Sequence, residues 1–232
     1  MTPTDLLKFN PCNLDHLTET YNIGFYLEYF SRWPELCMVI EGRHGEIEGY
    51  SELPSAAIPT FHIIYFSQHT SQNVKMVTPS QNETSDGTNS RSIVLGKVEA
   101  SPYPAPLEPY DPGHALYTKK FPNYLPWHAH ITCLTVAPSA RRLGHATRLS
   151  EALEEAGERE NAWFVDLFVR VENTAAIELY KKMGYSVYRR IVDYYNDGSD
   201  AFDMRKPLSR DKDLKTIRPN GENVRVDPGE VW

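Results

Sequence analysis

The chain has 232 residues, 41% of them hydrophobic and 12% aromatic, with a net charge of -7; that is enough apolar material for one packed domain with embellishments. The acidic balance, with pI about 5.6, excludes a broad nucleic-acid-binding face, which needs a dominant basic surface. Cys12, Cys37 and Cys133 have neither metal-ligand nor redox spacing, and no segment reads as a secretory leader or reaches the roughly 18 apolar residues of a membrane span, so the expectation is a soluble, cytoplasmic protein with no membrane contact.

Residues 5 to 35 carry apolar clusters at helical spacing (Leu14 with Leu17; Phe25, Tyr26, Tyr29 and Phe30) broken at Pro11, Gly24 and Pro34. This pattern predicts two short helices joined by a loop near Asn22 to Phe25. "LCMVIEG" and "EIEGY" read as strands joined by a tight turn. From Ser51 to Arg91 the chain is rich in Ser, Thr, Asn and Gln with one apolar island, "FHIIYF". It reads as a disordered insertion, either a translated intron or a lineage-specific loop. "SIVLGKVEA" resumes as a strand. The stretch 101–127 then carries Pro102, Pro104, Pro106, Pro109, Pro112, Pro122 and Pro126, which forbid regular pairing.

"HAHITCLTVAP" is predicted as a strand, followed by an amphipathic helix with Leu143, Ala146, Leu149, Leu153 and Ala156 inward and Arg148, Glu151, Glu155 and Arg159 outward. "WFVDLFVRV" reads as a central strand. "ENTAAIELYKKMGY" reads as a helix capped by Asn173 or Thr174 and ended at Gly184. "YSVYRRIVDYY" and "AFDMRKPL" read as a hairpin around Asn196 to Asp200. The organisation expected is a domain over 1–208 and a loosely held polar tail over 209–232.

Between strand and helix stands "PSARRLGHAT". Unpaired N–H groups and the positive end of the macrodipole attract anions to a helix start, glycine lets a phosphate approach the backbone, and arginines add charged donors. The stretch reads as a phosphate cradle, against the plainer reading of a turn before a surface helix. The dinucleotide-binding Gly-x-Gly-x-x-Gly turn and the Gly-Lys-Ser/Thr of nucleotide hydrolases are both absent from it.

Strand, arginine-glycine turn, helix, strand and Asn-capped helix ending in Tyr-Lys-Lys-Met-Gly-Tyr resemble the GNAT acetyltransferases, with Arg141, Gly144 and Ala146 matching their phosphate-loop signature. The resemblance implies an α/β fold in which helices flank a central mixed, twisted sheet, here with two irregular insertions. It also implies acetyl-CoA as acetyl donor and no metal. The pyrophosphate would lie against Arg141, Arg142, Gly144, His145, Ala146 and Thr147, and the pantetheine arm would pair with Leu134, Thr135 and Val136. Asn173 matches the family's cofactor-contacting asparagine, and Tyr180 the tyrosine beside the sulfur.

Longer spans, "NLDHLTETYNIGFYLEYFSRWPE", "VDLFVRVENTAAIELYKKMGYSVYRR" and "FDMRKPLSRD", resemble the catalytic subunits of NatB, which acetylate the α-amino group of nascent chains beginning Met-Asp, Met-Glu, Met-Asn or Met-Gln. That implies an auxiliary helical-repeat subunit and nascent N-termini at the ribosome as partners, and a peptide groove from Phe25, Tyr26, His130, Thr132, Tyr194 and Tyr195. The apolar residues of the first two helices are expected to face that subunit. The family's first strand has no counterpart in "MTPT" ahead of "DLLKFN". His130 and Thr132, two apart on a strand, share a face and offer groups to the substrate's second side chain. His128 shares it too, but no third metal ligand is evident. His130 and Tyr180 each keep a structural reading beside the functional one, and of Tyr194 and Tyr195 only one can face a groove if both lie in a strand. An α-amine titrates at about 7.7–8.0 against about 10.4 for lysine, so no strong base is required. An acetyltransferase for another amine, and a CoA-binding module without turnover, are the alternatives.

Overall fold

A computed structural model describes residues 21–41, 62–63, 92–101 and 124–231. It divides into two compact units: Met1–Leu95 with Cys133–Leu149, and Gly96–Thr132 with Ser150–Trp232. The predicted helix around Leu14 and Leu17, Cys12, the start of the chain, "EIEGY" and most of both irregular stretches lie outside the described residues.

In the first unit, α1 (Ile23–Arg32) starts where a loop was expected. Asn22 accepts a hydrogen bond from the Phe25 N–H at 3.0 Å and caps the helix, so Gly24 and Phe25 form its first turn. Tyr26 and Tyr29 pack into a core with Cys37, Val39 and Leu95, while Phe30 and Trp33 are partly buried at its edge. Those two tyrosines therefore do not face outward as expected. The exposed apolar residues of α1 are Ile23, 62% exposed, and Leu27, 42%, one turn apart on the opposite side. Pro34 starts a short 3-10 turn that delivers the chain into β1 (Cys37–Glu41). β1 pairs antiparallel with β2 (His62–Ile63) and with β3 (Ser92–Glu99) from Cys37↔Leu95 to Ile40↔Ser92. The island in the Ser51–Arg91 insertion thus contributes a short strand. Cys37 and Cys133 are free thiols, and burial pushes Cys37 up to about 12.

β3, β4 (His128–Val136) and α2 (His145–Arg159) each begin in one unit and end in the other. Within the second unit, strands follow the order β4, β5 (Phe164–Arg170), β7 (Ala201–Pro207), β6 (Ser186–Ile191), β8 (Arg225–Val226). β4 and β5 run parallel, as do β6 and β8; the β5–β7 and β6–β7 pairs are antiparallel. The mixed sheet and the central place of "WFVDLFVRV" agree with the sequence reading. Ala152, Leu153 and Ala156 of α2 are buried as the 3.6-residue period requires, but Leu143 precedes the helix and is 53% exposed. Gly96 of β3 marks close packing against α2, since a Cβ there would lie 2.3 Å from Leu153 Cδ1.

The tail is not loose. Asp211 accepts hydrogen bonds from the N–H groups of Lys215 and Thr216, and Arg189 donates to the carbonyls of Glu230 and Val231. Val231 is fully buried with Ile191 and Ala201. Gly221 lies so close to the Val187 carbonyl that a Cβ would come within 2.0 Å. Polar composition misleads here because these polar groups are satisfied internally. No helix among the described residues is long and apolar enough to cross a membrane.

Candidate active site

The cradle occupies the first unit. After Val136 a 3-10 turn, Pro138–Ala140, seats Ala137 and Ala140 in a small cluster with Val136. The Arg141 ε N–H donates to the Val136 carbonyl at 3.3 Å. Arg142 (φ +65°) and Gly144 (φ +82°) both adopt left-handed backbone, and α2 starts at the next residue. Successive turns of this kind aim backbone N–H groups at one point, an arrangement that binds anions. A Cβ on Gly144 would meet nothing within 4 Å, so its glycine answers the dihedral requirement while the space above it stays open. Arg141, Arg142 and Gly144 are exposed, and Ala146 and Thr147 half-buried. His145 differs: its ring is buried, and burial, then the charge of Arg148, lowers its affinity for a proton. Only its backbone N–H is suited to a phosphate. Leu134 and Val136 are half-buried and Thr135 buried, and β4 runs on through them past its last register pair with β5, Ile131↔Leu167. These residues fit the diphosphate and amide-bearing arm of a coenzyme A.

In the second unit Asn173, not Thr174, caps α3 (Thr174–Lys182). Its Oδ1 accepts from the Ala176 N–H at 3.2 Å, so its NH₂ group is the part suited to a ligand. Gly184 (φ +93°) ends the helix, and the Tyr185 N–H returns to the Tyr180 carbonyl at 3.0 Å. Tyr180 is buried with its ring edge-on to Tyr185 at 5.5 Å. The Tyr185 hydroxyl donates to Glu154, which also pairs with Lys206; burial, then Glu154, raises the Tyr185 phenol well above its ordinary value. Tyr185 therefore stays a fixed neutral donor beside Tyr180.

The third ligand-type group that "WHAH" lacked is Asp166. His128, His130 and Asp166 bring three such atoms within 4.8 Å of one another, all buried. Their contacts are those of a hydrogen-bonded network. The Pro126 carbonyl can only accept, so His128 Nδ1, 2.8 Å away, carries a proton. His130 Nδ1 donates to Asp166 Oδ1, also at 2.8 Å. Burial opposes charge on Asp166, but His128, His130 and Arg205 together hold its carboxyl well below the usual carboxylate range. His128 is the reverse: burial outweighs Asp166 and lowers the ring's affinity for a proton. Thr132 follows on the same face, half-buried.

Tyr194 and Tyr195 fall in the turn after β6, not in a strand, because Asp193 (φ +51°) bends the chain just before them. Both are thereby half-buried against the Ile191–Ala201 cluster. Tyr194 packs edge-on to Phe168, which also meets the His130 ring at 5.0 Å; Arg170 lies over Tyr195 at 3.9 Å. Phe168, Arg170 and Asp166 escape a reading of the sequence, although an aspartate inside an apolar strand is the kind of buried polar residue that signals a partner. In the first unit, Phe25 is half-buried and stacked on Tyr21 at 4.1 Å, whereas the Tyr26 ring is part of the core.

The family model of the GNAT acetyltransferases matches residues 99–185, spanning β4, the cradle, α2, β5 and α3. The chain is 39% identical to the N-terminal acetyltransferase B complex catalytic subunit naa20 of Schizosaccharomyces pombe, over 98% of this chain and 94% of that one. It is 36% identical to N-alpha-acetyltransferase 20 of Dictyostelium discoideum over 93% and 87%. The crystal structure of Chaetomium thermophilum Naa20 in complex with a bisubstrate analogue superposes with a TM-score of 0.70 at 40% identity, covering 100% of this chain and 97% of that one. The chain belongs to the GNAT acetyltransferases and, within them, to the family of NatB catalytic subunits.

Proposed function

We propose that this chain is the catalytic subunit of a cytoplasmic NatB-type complex, acetylating the α-amino group of nascent chains that begin Met-Asp, Met-Glu, Met-Asn or Met-Gln. Its near-full-length likeness to an acetyltransferase B catalytic subunit carries this reading. When bound, acetyl-CoA supplies the thioester from which the acetyl group is taken. The exposed guanidinium groups of Arg141 and Arg142 and the backbone N–H groups of Gly144 to Thr147 would hold its diphosphate. The backbone of Leu134 to Val136 would hold the arm, and in the second unit the Asn173 amide is the group assigned to the cofactor. Tyr180 Oη is the donor assigned to the leaving sulfur. His130 and Thr132 are assigned to the second side chain of the peptide, and Tyr194 and Tyr195, in the same unit, to the groove beside it. An α-amine is partly neutral at pH 7, so orientation supplies much of the rate. The exposed pair Ile23 and Leu27 on α1 suits an auxiliary helical-repeat subunit, which would bring the enzyme to emerging chains at the ribosome.

Co-expressed with that subunit, the chain should acetylate Met-Asp peptides with kcat/KM at least about tenfold above Ser- or Met-Leu-starting ones, the ratio expected from one hydrogen bond to a charged group. Preference for an internal lysine overturns the substrate assignment. Binding of acetyl-CoA without acetylation of any peptide favours the turnover-free module.

A further inference from the structure

Three charged or ionisable residues stand in one row across the second unit's sheet. The register pairs His130 of β4 with Asp166 of β5, and Asp166 with Arg205 of β7. Residues in register point to the same side of a sheet, so the Asp166 carboxylate, 1% exposed, sits between an imidazole and a guanidinium. Its contact with His130 Nδ1 fixes that ring's orientation and its tautomer. Nε2 is then the one ring atom left to meet a ligand.

We infer that Asp166 is a positioning residue that makes His130 a reader of either an acidic or an amide second side chain. The inference rests on the substrate class proposed above, whose peculiarity it addresses: Asp and Glu offer only acceptors, whereas Asn and Gln offer both donors and acceptors. A fixed cation favours the acids, and a fixed neutral acceptor rejects them. With Nδ1 tied to a carboxylate, His130 can serve in two states. As imidazolium its Nε2–H donates to a carboxylate or an amide oxygen; as neutral imidazole its Nε2 accepts from an amide N–H and repels a carboxylate. Among the described residues, the charged or titratable groups linked to this ring are His128 on its own strand and Asp166 on β5; Glu99 on β3, paired to Lys97 at 2.6 Å, reaches His128, and Arg205 on β7, paired to Asp203, stands in register with Asp166. Glu99 Oε1 lies 4.0 Å from His128 Nε2.

The test compares two peptides differing only in Asp or Asn after the initiator Met, with the complex of this chain and its auxiliary subunit, from about pH 5 to about pH 8, the span in which an imidazole loses its charge. The α-amine titrates alike in both peptides and cancels in the ratio of kcat/KM, and the substrate carboxylate titrates near 3.9, below the range. The Met-Asp to Met-Asn ratio should fall about five- to tenfold as pH rises, the difference between a charge-assisted and a neutral hydrogen bond. Asp166→Asn keeps an acceptor for Nδ1–H but removes the anion, so at the low end of the range its ratio should already be near the wild-type value at the high end. A wild-type ratio flat across the range overturns the inference without any variant. So does a folded Asp166→Asn enzyme in which both peptides slow alike and the pH dependence of the ratio persists, the signature of a merely structural aspartate. Failure of both peptides to react, with other amines accepted, overturns the substrate class beneath it instead.

Discussion

The turn from Arg141 to Gly144 and the row from His130 to Arg205 both manage charge, in opposite surroundings. In the turn, guanidinium groups stand in water on a strained backbone with open space above Gly144. In the row and in the Asp203 pairs beside it, buried carboxylates meet an imidazole or guanidinium groups at 2.8–2.9 Å. Charge intended for a ligand can remain hydrated until the ligand arrives, so its cost to the free protein is small. Charge that fixes the geometry of other groups must be desolvated, and it is tolerated only because each member already has its partner.

The largest effect that can break this contrast is in the buried network. Asp203→Ala strands Arg189 and Arg205, both buried against it, and should cost about 3–5 kcal/mol in urea unfolding. A loss under about 1 kcal/mol would mean that the two arginines find water, and the contrast would fail. Gly144→Ala is intermediate: placing a Cβ at φ +82° should cost about 1 kcal/mol of stability. It should also weaken acetyl-CoA binding about tenfold by calorimetry, as the turn relaxes. The smallest effect belongs to Arg142→Ala. Stability should stay within about 0.5 kcal/mol, while acetyl-CoA affinity falls about three- to fivefold, a difference that shrinks as salt is raised. A larger stability loss than that of Gly144→Ala would show that Arg142 carries structure as well as charge.

The same contrast explains what could be read from the sequence. The cradle, the α2 period and the Asn173 cap are local signals, complete within a few residues, and the chain's order of elements tied them to a family. The row is not local: Asp166 reaches His130 across 36 positions, and no spacing rule announces that β4 and β5 align there. Other misreadings have the same origin. Asn22 begins a helix because its side chain turns back to the Phe25 N–H, which a Gly at position 24 obscured. Tyr26 and Tyr29 show helical periodicity that identifies one face, but only packing against Cys37 and Leu95 says that this face is inward. Tyr194 and Tyr195 follow a clear strand pattern that Asp193 interrupts by backbone geometry alone.

Arg189 carries a consequence in time. Protein synthesis runs from the N-terminus, and the carbonyls that Arg189 engages lie 41 and 42 residues downstream. When β6 and β7 have emerged, Arg189 can already meet Asp203, but two of its donors still face the place where Glu230 and Val231 will settle. The hairpin therefore waits, partly hydrated, for a late-made segment to close over it. Folding of this unit should finish in a distinct last step, and a chain halted before Glu230 would hold a native-like sheet with an unfinished edge.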